Sequence, residues 1–281
     1  MRMHIIEVID KMHIEEFRKL PFRLYQNDPF WIPHIRQDVE TVFDKKLNKF
    51  WEHGEAVRWL LFDDKNICIG RVAAFINRKV SQTYKQPTGG MGFFECIDDQ
   101  AAANMLFDTC QNWLQERGME AMDGPINFGE KDKFWGLITE NFSMAPYYGQ
   151  NYNPNYYVSL FEAYGFQVYY NQLIFFRKVS DPLQARFNER AKRIFDDASY
   201  SCEHINKNNL EKYAEDFRTV YNRAWVTHDN FKEMPREQAM TMMRRLKPVL
   251  DEKLVWFAYH DKQPVAFYIS LPELNELFNK V

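Results

Sequence analysis

Residues 58–75, RWLLFDDKNICIGRVAAF, return near the end of the chain as residues 255–271, VWFAYHDKQPVAFYISL. Trp59 answers Trp256, Phe62 answers Tyr259, and Asp64-Lys65 answers Asp261-Lys262. Each copy reads as two short apolar strands joined by a polar turn, so one supersecondary unit is used twice. After the first copy the chain runs on through further elements, whereas the second is followed by only ten residues. The repeat therefore predicts one complete domain over 1–179 and the front half of a second over 180–281.

Composition narrows the classes. With 281 residues and 46% hydrophobic content, the chain is long for one domain and has enough apolar material for two cores. A formal charge of -3, with Lys and Arg interspersed among Asp and Glu, gives no basic field for nucleic acid. The first residues, MRMHIIEVIDKMHIEEF, break each apolar run with charge, and no run is long enough to span a bilayer. A soluble cytoplasmic protein without nucleic-acid or membrane partners is expected. Cys68, Cys96, Cys110 and Cys202 lack CxxC spacing and are expected as reduced, mostly core thiols. The seven histidines form no HxxxH or HExxH pair, so no metal is expected.

Periodicity predicts a mixed α and β chain. A first helix over 14–27 is interrupted near Pro21, and the hairpin follows. Thr88-Gly89-Gly90 reads as a turn before a strand over 92–97. Asp98-Asp99 caps a helix carrying Ala103, Leu106, Cys110, Trp113 and Leu114 on one stripe, ended by Gly118. A strand over 119–122, a long loop, a helix over 155–164 closed by Gly165, and a strand pair within 166–179 complete the first domain. The second begins with a helix at Asp181-Pro182 bearing Phe187, Ala191, Ile194 and Phe195. It continues with a helix bearing Leu210, Tyr213, Phe217 and Tyr221, and with a Met-rich helix around Met240, Met242 and Met243 read as core.

This order, and above all the run SLFEAYGF at 159–166, resembles the GNAT superfamily of CoA-dependent N-acyltransferases and its helix-to-strand motif LYExxGF. The resemblance implies a central mixed, mostly antiparallel sheet flanked by helices, present once complete and once partial. It also implies acetyl-CoA or another acyl-CoA as cofactor and a small-molecule or peptide-like acceptor. In that family the CoA pyrophosphate rests on backbone N–H groups at the start of the helix after the fourth strand, where a Gln or Arg is followed by glycines. Here Gln100 echoes the first position, but the glycines are replaced by Ala101, Ala102 and Ala103, and Asp98 and Asp99 compete for the helix N-terminus. The family's tyrosine general acid is replaced by Phe161. Tyr157, one turn earlier on the same face, is the substitute candidate, with a core-facing aromatic as its alternative.

Further candidates lie nearby. Glu95 alternates with Phe94 and Cys96 and faces either the cleft or solvent. Glu52-His53-Gly54-Glu55 reads as a base near the cleft or as a solvated turn. The 31-residue loop over 124–154 carries Phe128, Phe134, Trp135, Phe142, Tyr147, Tyr148 and Tyr152, and either lines a cleft or plugs an apolar face. Asn127, Glu130, Lys131, Trp135 and Tyr152 are its ligand-binding candidates. In the second domain Trp225, His228 and Asn230 line a pocket, or Trp225 and Phe231 pack beneath the turn.

Two functions are compatible with these residues. One is an N-acyltransferase with a degenerate cofactor site in the first domain, whose working site lies beyond Val281 in about a hundred further residues, the size of a half-domain complement. The other is a non-catalytic ligand-binding or interaction protein on the same fold. A tRNA-dependent aminoacyl transferase is a third reading that the acidic chain disfavours. Unpaired edges of a partial sheet make a homodimer an open expectation.

Overall fold

The quoted hairpin is the centre of a five-stranded sheet in a computed structural model that describes residues 2–83, 85–227 and 233–278. The chain divides into two units, one of residues 2–173 with 274–278 and one of residues 174–273.

In the first unit β1 (His4–Glu7) leads into α1 (Lys11–Leu24) and α2 (Arg36–Phe43), and the hairpin follows as β2 (Gly54–Phe62) and β3 (Cys68–Asn77). Next come β4 (Thr88–Cys96), α3 (Gln100–Gln115), β5 (Ala121–Asp123) and α4 (Tyr156–Tyr164). The strands lie in the order β1-β2-β3-β4-β5, antiparallel except for the parallel β4–β5 pair that α3 crosses between. Strands β2 and β3 are buried along most of their length because both faces are covered. One face packs Leu61, Val72, Ala74 and Phe94 against α3 and α4 through Leu106, Cys110 and Phe161. The other packs Leu60, Ala73, Phe75 and Phe93 against α1 and α2 through Phe17, Leu20 and Val39. Leu60 and Leu61 are both fully buried on opposite faces, each contributing about 1.5–3 kcal/mol by area transfer.

The second unit contains α5 (Ala185–Phe195), β6 (Tyr200–His204), α6 (Leu210–Trp225), α7 (Arg236–Leu246), β7 (Val255–His260) and β8 (Gln263–Ile269). The sheet order is β6-β7-β8, antiparallel throughout, over a core of Tyr213, Phe217, Met243 and Phe257. Lys212 ties three of these elements, donating to Glu203 at 2.5 Å, Asp216 at 3.1 Å and the Tyr259 hydroxyl at 2.5 Å. The repeat thus reaches further back than the hairpin. Strand, two helices and hairpin recur as β1-α1-α2-β2-β3 and β6-α6-α7-β7-β8. The two turns differ. Asp261 and Lys262 form a two-residue turn with φ of 47° and 65°, as a type I′ hairpin requires. The first hairpin closes over 63–67, where the Asp63 carboxylate accepts from the N–H of Lys65 and Ile67.

Several sequence expectations are corrected. Helix α1 runs through Pro21 without interruption and starts three residues earlier than expected, at Lys11, capped by the Asp10 carboxylate. The glycines 89, 90 and 92 lie within β4 and form no turn, because the neighbouring chain approaches too closely for a side chain: a Cβ at Gly92 would stand 1.9 Å from the Ile126 carbonyl oxygen. No residue of 166–179 is in a strand. Apolar alternation makes a strand only where an edge is free to pair, and β5, three residues long, offers a short one. Helix α5 begins at Ala185 because Asp181 turns backward, accepting from Lys178 N–H through its side chain and from Arg177 through its carbonyl. Its Phe187, Ile194 and Phe195, expected on one face, are exposed, as are Met242 of α7, expected in a core, and Cys202 of β6. The capped helix α3 and the Gly165 stop of α4, with φ of 115°, form as expected.

Gly92→Ala is predicted to cost about 3 kcal/mol or more, since backbone must move. Gly118→Ala, at φ of 78° with open space around it, is predicted to cost only about 1–2 kcal/mol. Urea unfolding of the two variants checks the order, and equal losses would contradict the close approach.

Candidate functional site

Pro21 has no N–H, so the carbonyl of Phe17 one turn earlier in α1 lacks its helical donor. Arg71 supplies it: a terminal nitrogen of the guanidinium donates to the Phe17 oxygen at 2.6 Å, and the group lies over the Phe17 ring at 4.7 Å. Arg71 stands on β3 directly opposite Glu95 on β4, and its other terminal nitrogen donates to Glu95 Oε1 at 3.3 Å. Glu95 Oε2 accepts from the hydroxyls of Tyr25 at 2.6 Å and Tyr157 at 2.9 Å. Burial raises the Glu95 carboxyl above its usual range, against the opposing pull of Arg71 and both hydroxyls. Burial likewise raises both tyrosines well above the ordinary phenol range, so they remain neutral donors. A buried carboxylate with three donors, one of them a cation, is satisfied, yet binds protons more tightly than an exposed one.

Strand β4 is distorted at this place. Between the pairs Arg71↔Glu95 and Ala73↔Gly92 the register slips by one residue, and Phe93 takes φ of 51°, a left-handed conformation that phenylalanine rarely adopts. Beyond the bulge, Ile97 N–H donates to Ile69 on β3, so the groups of Cys96 point to the opposite edge. There α4 meets them: Cys96 N–H donates to the Tyr157 hydroxyl and the Tyr156 hydroxyl donates to the Cys96 carbonyl, both at 2.8 Å. Two phenols thus complete an edge where an adjoining strand would otherwise pair.

Arg71, Glu95 and Tyr157 line a cleft with a cavity volume of about 60 Å³, whose walls carry Trp31, His34 and Tyr152. That space holds a few water-sized groups, such as a small polar head. Trp31 stacks on Tyr25 at 5.1 Å, and Tyr152 is fixed by its hydroxyl to Asp28 at 2.8 Å. Desolvation, with the nearby Arg71 charge second, pushes the His34 imidazole down to about 4. His34 is therefore neutral at physiological pH.

The structure brings Glu95 and Tyr157 into contact, together with Tyr152 in the same cleft. The other loop candidates lie outside its lining. Glu130 and Lys131 are exposed, Lys131 lies over the Trp135 ring, Trp135 donates to Tyr170, and Asn127 is buried with its Oδ1 unpartnered. The loop plugs as well as lines, since Phe128 and Phe134 fill the α1–α2 side of the core. Glu55 pairs with Arg78 and Arg117. Trp225 is partly exposed beside Tyr221, and His228, Asn230 and Phe231 lie outside the described residues. Sequence reasoning missed Arg71, Tyr25 and His34. The charge inside the apolar run CIGRVAAF was the available signal for Arg71.

Does α3 fit a pyrophosphate? Its N-cap, Asp99, accepts from Ala102 N–H at 2.9 Å, so a carboxylate already takes a donor that a phosphate would need. The Gln100 side chain is turned to Asn104 and the Leu160 carbonyl. These residues do not fit the cofactor cradle that the resemblance implies. Among the described residues no group of His, Cys, Asp and Glu could hold a metal ion, and no helix is long and apolar enough to cross a membrane.

No family model matches the chain. It is 25% identical to the bacterial ceramide synthase of Caulobacter vibrioides, across 98% of this chain and 71% of that one. It is 24% identical to protein YghO of Escherichia coli, across 95% of this chain and 68% of that one. Among solved structures it is similar to a tandem GNAT protein from the clavulanic acid biosynthesis pathway, with a TM-score of 0.47, 10% identity, and coverage of 96% of this chain and 75% of that one.

The low His34 pKa has a definite sign for stability. Between about pH 4 and 6.5 the unfolded chain takes up a proton that the folded chain refuses, so this contribution is present above pH 6.5 and is lost as pH falls towards 4. Its full size is roughly 3 kcal/mol. Urea denaturation of His34→Phe across this range is predicted to show a shallower loss than the parent chain. Parallel pH profiles would contradict it.

Proposed function

We propose that the chain is an N-acyltransferase whose first unit holds the amine acceptor, with Glu95 taking the amine's proton. The observation that carries this reading is the buried, proton-avid carboxylate on the floor of an aromatic cleft. A primary amine arrives as an ammonium ion and must lose a proton before its lone pair can attack. The first proton of the ammonium passes to Glu95 Oε, the new N–C bond forms at the acyl carbon, the bond from that carbon to the leaving group breaks, and the second nitrogen proton departs with the leaving group. A base with a raised pKa is better matched to that transfer than an ordinary carboxylate. Tyr25 and Tyr157 hold Oε2, and Arg71 fixes Oε1.

The name of the Caulobacter relative supports the reaction class, since a ceramide is an amide and its synthesis is an N-acylation. Acyl-CoA is the donor class that the superfamily resemblance implies. Because α3 caps itself with Asp99, the part we assign to the first unit is the acceptor side. That same cap favours a second reading, a protein that binds an amine ligand without transferring anything to it.

Glu95→Asp keeps the charge that Arg71 needs and withdraws it by one methylene. Incubation of the full chain with dodecylamine and acyl-CoA donors from acetyl to palmitoyl, followed by mass spectrometry, is predicted to yield the N-acyl amine. The variant is predicted to be about 100-fold slower. The parent's rate is predicted to rise with pH through the raised pKa of Glu95. Stabilisation by the amine without amide formation from any donor would favour the second reading. Neither binding nor product would overturn both.

A further inference from the structure

One polar atom of a side chain that lines the cleft has no partner. Arg71 is only 5% exposed, its two terminal nitrogens are engaged by Phe17 and Glu95, and its Nε–H is buried without an acceptor among the described residues. A buried guanidinium N–H left unsatisfied costs free energy comparable to a lost charged hydrogen bond. Such a group in a cleft-lining side chain marks the place of an oxygen that arrives with water or with ligand.

We propose that Arg71 Nε–H reads an oxygen carried beside the amine of the acceptor, and so makes this a site for amines with a neighbouring hydroxyl or carboxylate. The inference rests on the proposed amine site and goes beyond it by naming the group that selects among amines. The spacing follows from covalent geometry. Nε and the nitrogen that faces Glu95 belong to one guanidinium, and that nitrogen lies 3.3 Å from Oε1. An amine at Glu95 and an oxygen at Nε therefore occupy neighbouring spots, a separation that an N–C–C–O unit spans. The neutral His34 imidazole, on the same cleft wall, adds no competing charge. The aromatic walls around Trp31 suit an apolar remainder of the ligand.

Three probes of one carbon length separate the possibilities: dodecan-2-amine, 2-aminododecan-1-ol and 2-aminododecanoic acid. Calorimetric titration of the full chain is predicted to show the alcohol, the acid or both binding at least about 10-fold more tightly than the plain amine, equivalent to about 1.4 kcal/mol. The tighter of the two oxygen-bearing probes identifies which oxygen is read. In Arg71→Lys, which keeps a cation for Glu95 but has no Nε–H, the preference is predicted to fall to within about 2-fold. Equal binding of all three probes by the parent chain would overturn the proposal while leaving the amine site standing, because the free N–H would then hold water. Persistence of the preference in Arg71→Lys would overturn it too. Failure of every probe to bind would remove the amine site itself, and this inference with it.

Discussion

A carboxylate withdrawn from water must be matched by charge and donors or it takes up a proton, and the first unit is arranged to meet that requirement at Glu95. Arg71 faces it across the β3–β4 ladder, and two tyrosines, Tyr25 just past the end of α1 and Tyr157 in α4, reach its second oxygen. Two local irregularities place the Arg71–Glu95 pair. Pro21 removes the helical donor of Phe17 and so gives Arg71 a second anchor. The bulge at Phe93 shifts β4 by one residue, which places Glu95 opposite Arg71 and leaves Gly92 free to pass under Ile126. Removal of either feature would misplace the pair.

The same elements bear on how an acyl donor could approach. The start of α3 is occupied by its own carboxylate cap, and the outer edge of β4 at Cys96 is completed by Tyr156 and Tyr157. Both are intramolecular solutions to groups that a ligand would otherwise satisfy. The start of the crossover helix is therefore poorly suited to cradle a pyrophosphate, and under the proposed function the first unit contributes the acceptor's cleft.

Much of this was legible wherever the signal was local. The two hairpins, the stripe of α3 and the Gly165 stop follow from periodicity and turn chemistry within a few residues. Strands β1 and β6 were missed because four or five residues broken by charge or polarity carry too little pattern. The segment 166–179 had strand-like composition but only the short edge of β5 to pair with. Glu95 and Tyr157 were each candidates on their own, but their contact spans 62 positions, and that of Tyr25 with Glu95 spans 70. Such pairings are decided by the tertiary fold. Pro21 misled because its missing donor reads as a break until Arg71 is seen beneath it.

The claim on which everything else rests is that Glu95 is the group that meets the amine. Carbon-13 NMR of the chain labelled at the glutamate side-chain carboxyl, with the Glu95 signal assigned by its loss in Glu95→Gln, tests this directly. On titration with dodecylamine the account predicts that this one carboxyl resonance shifts and that its midpoint pH, raised above the ordinary glutamate range, changes with bound amine. An amine that binds while the Glu95 signal stays unmoved, or a Glu95 carboxyl that titrates like the exposed glutamates, would contradict it.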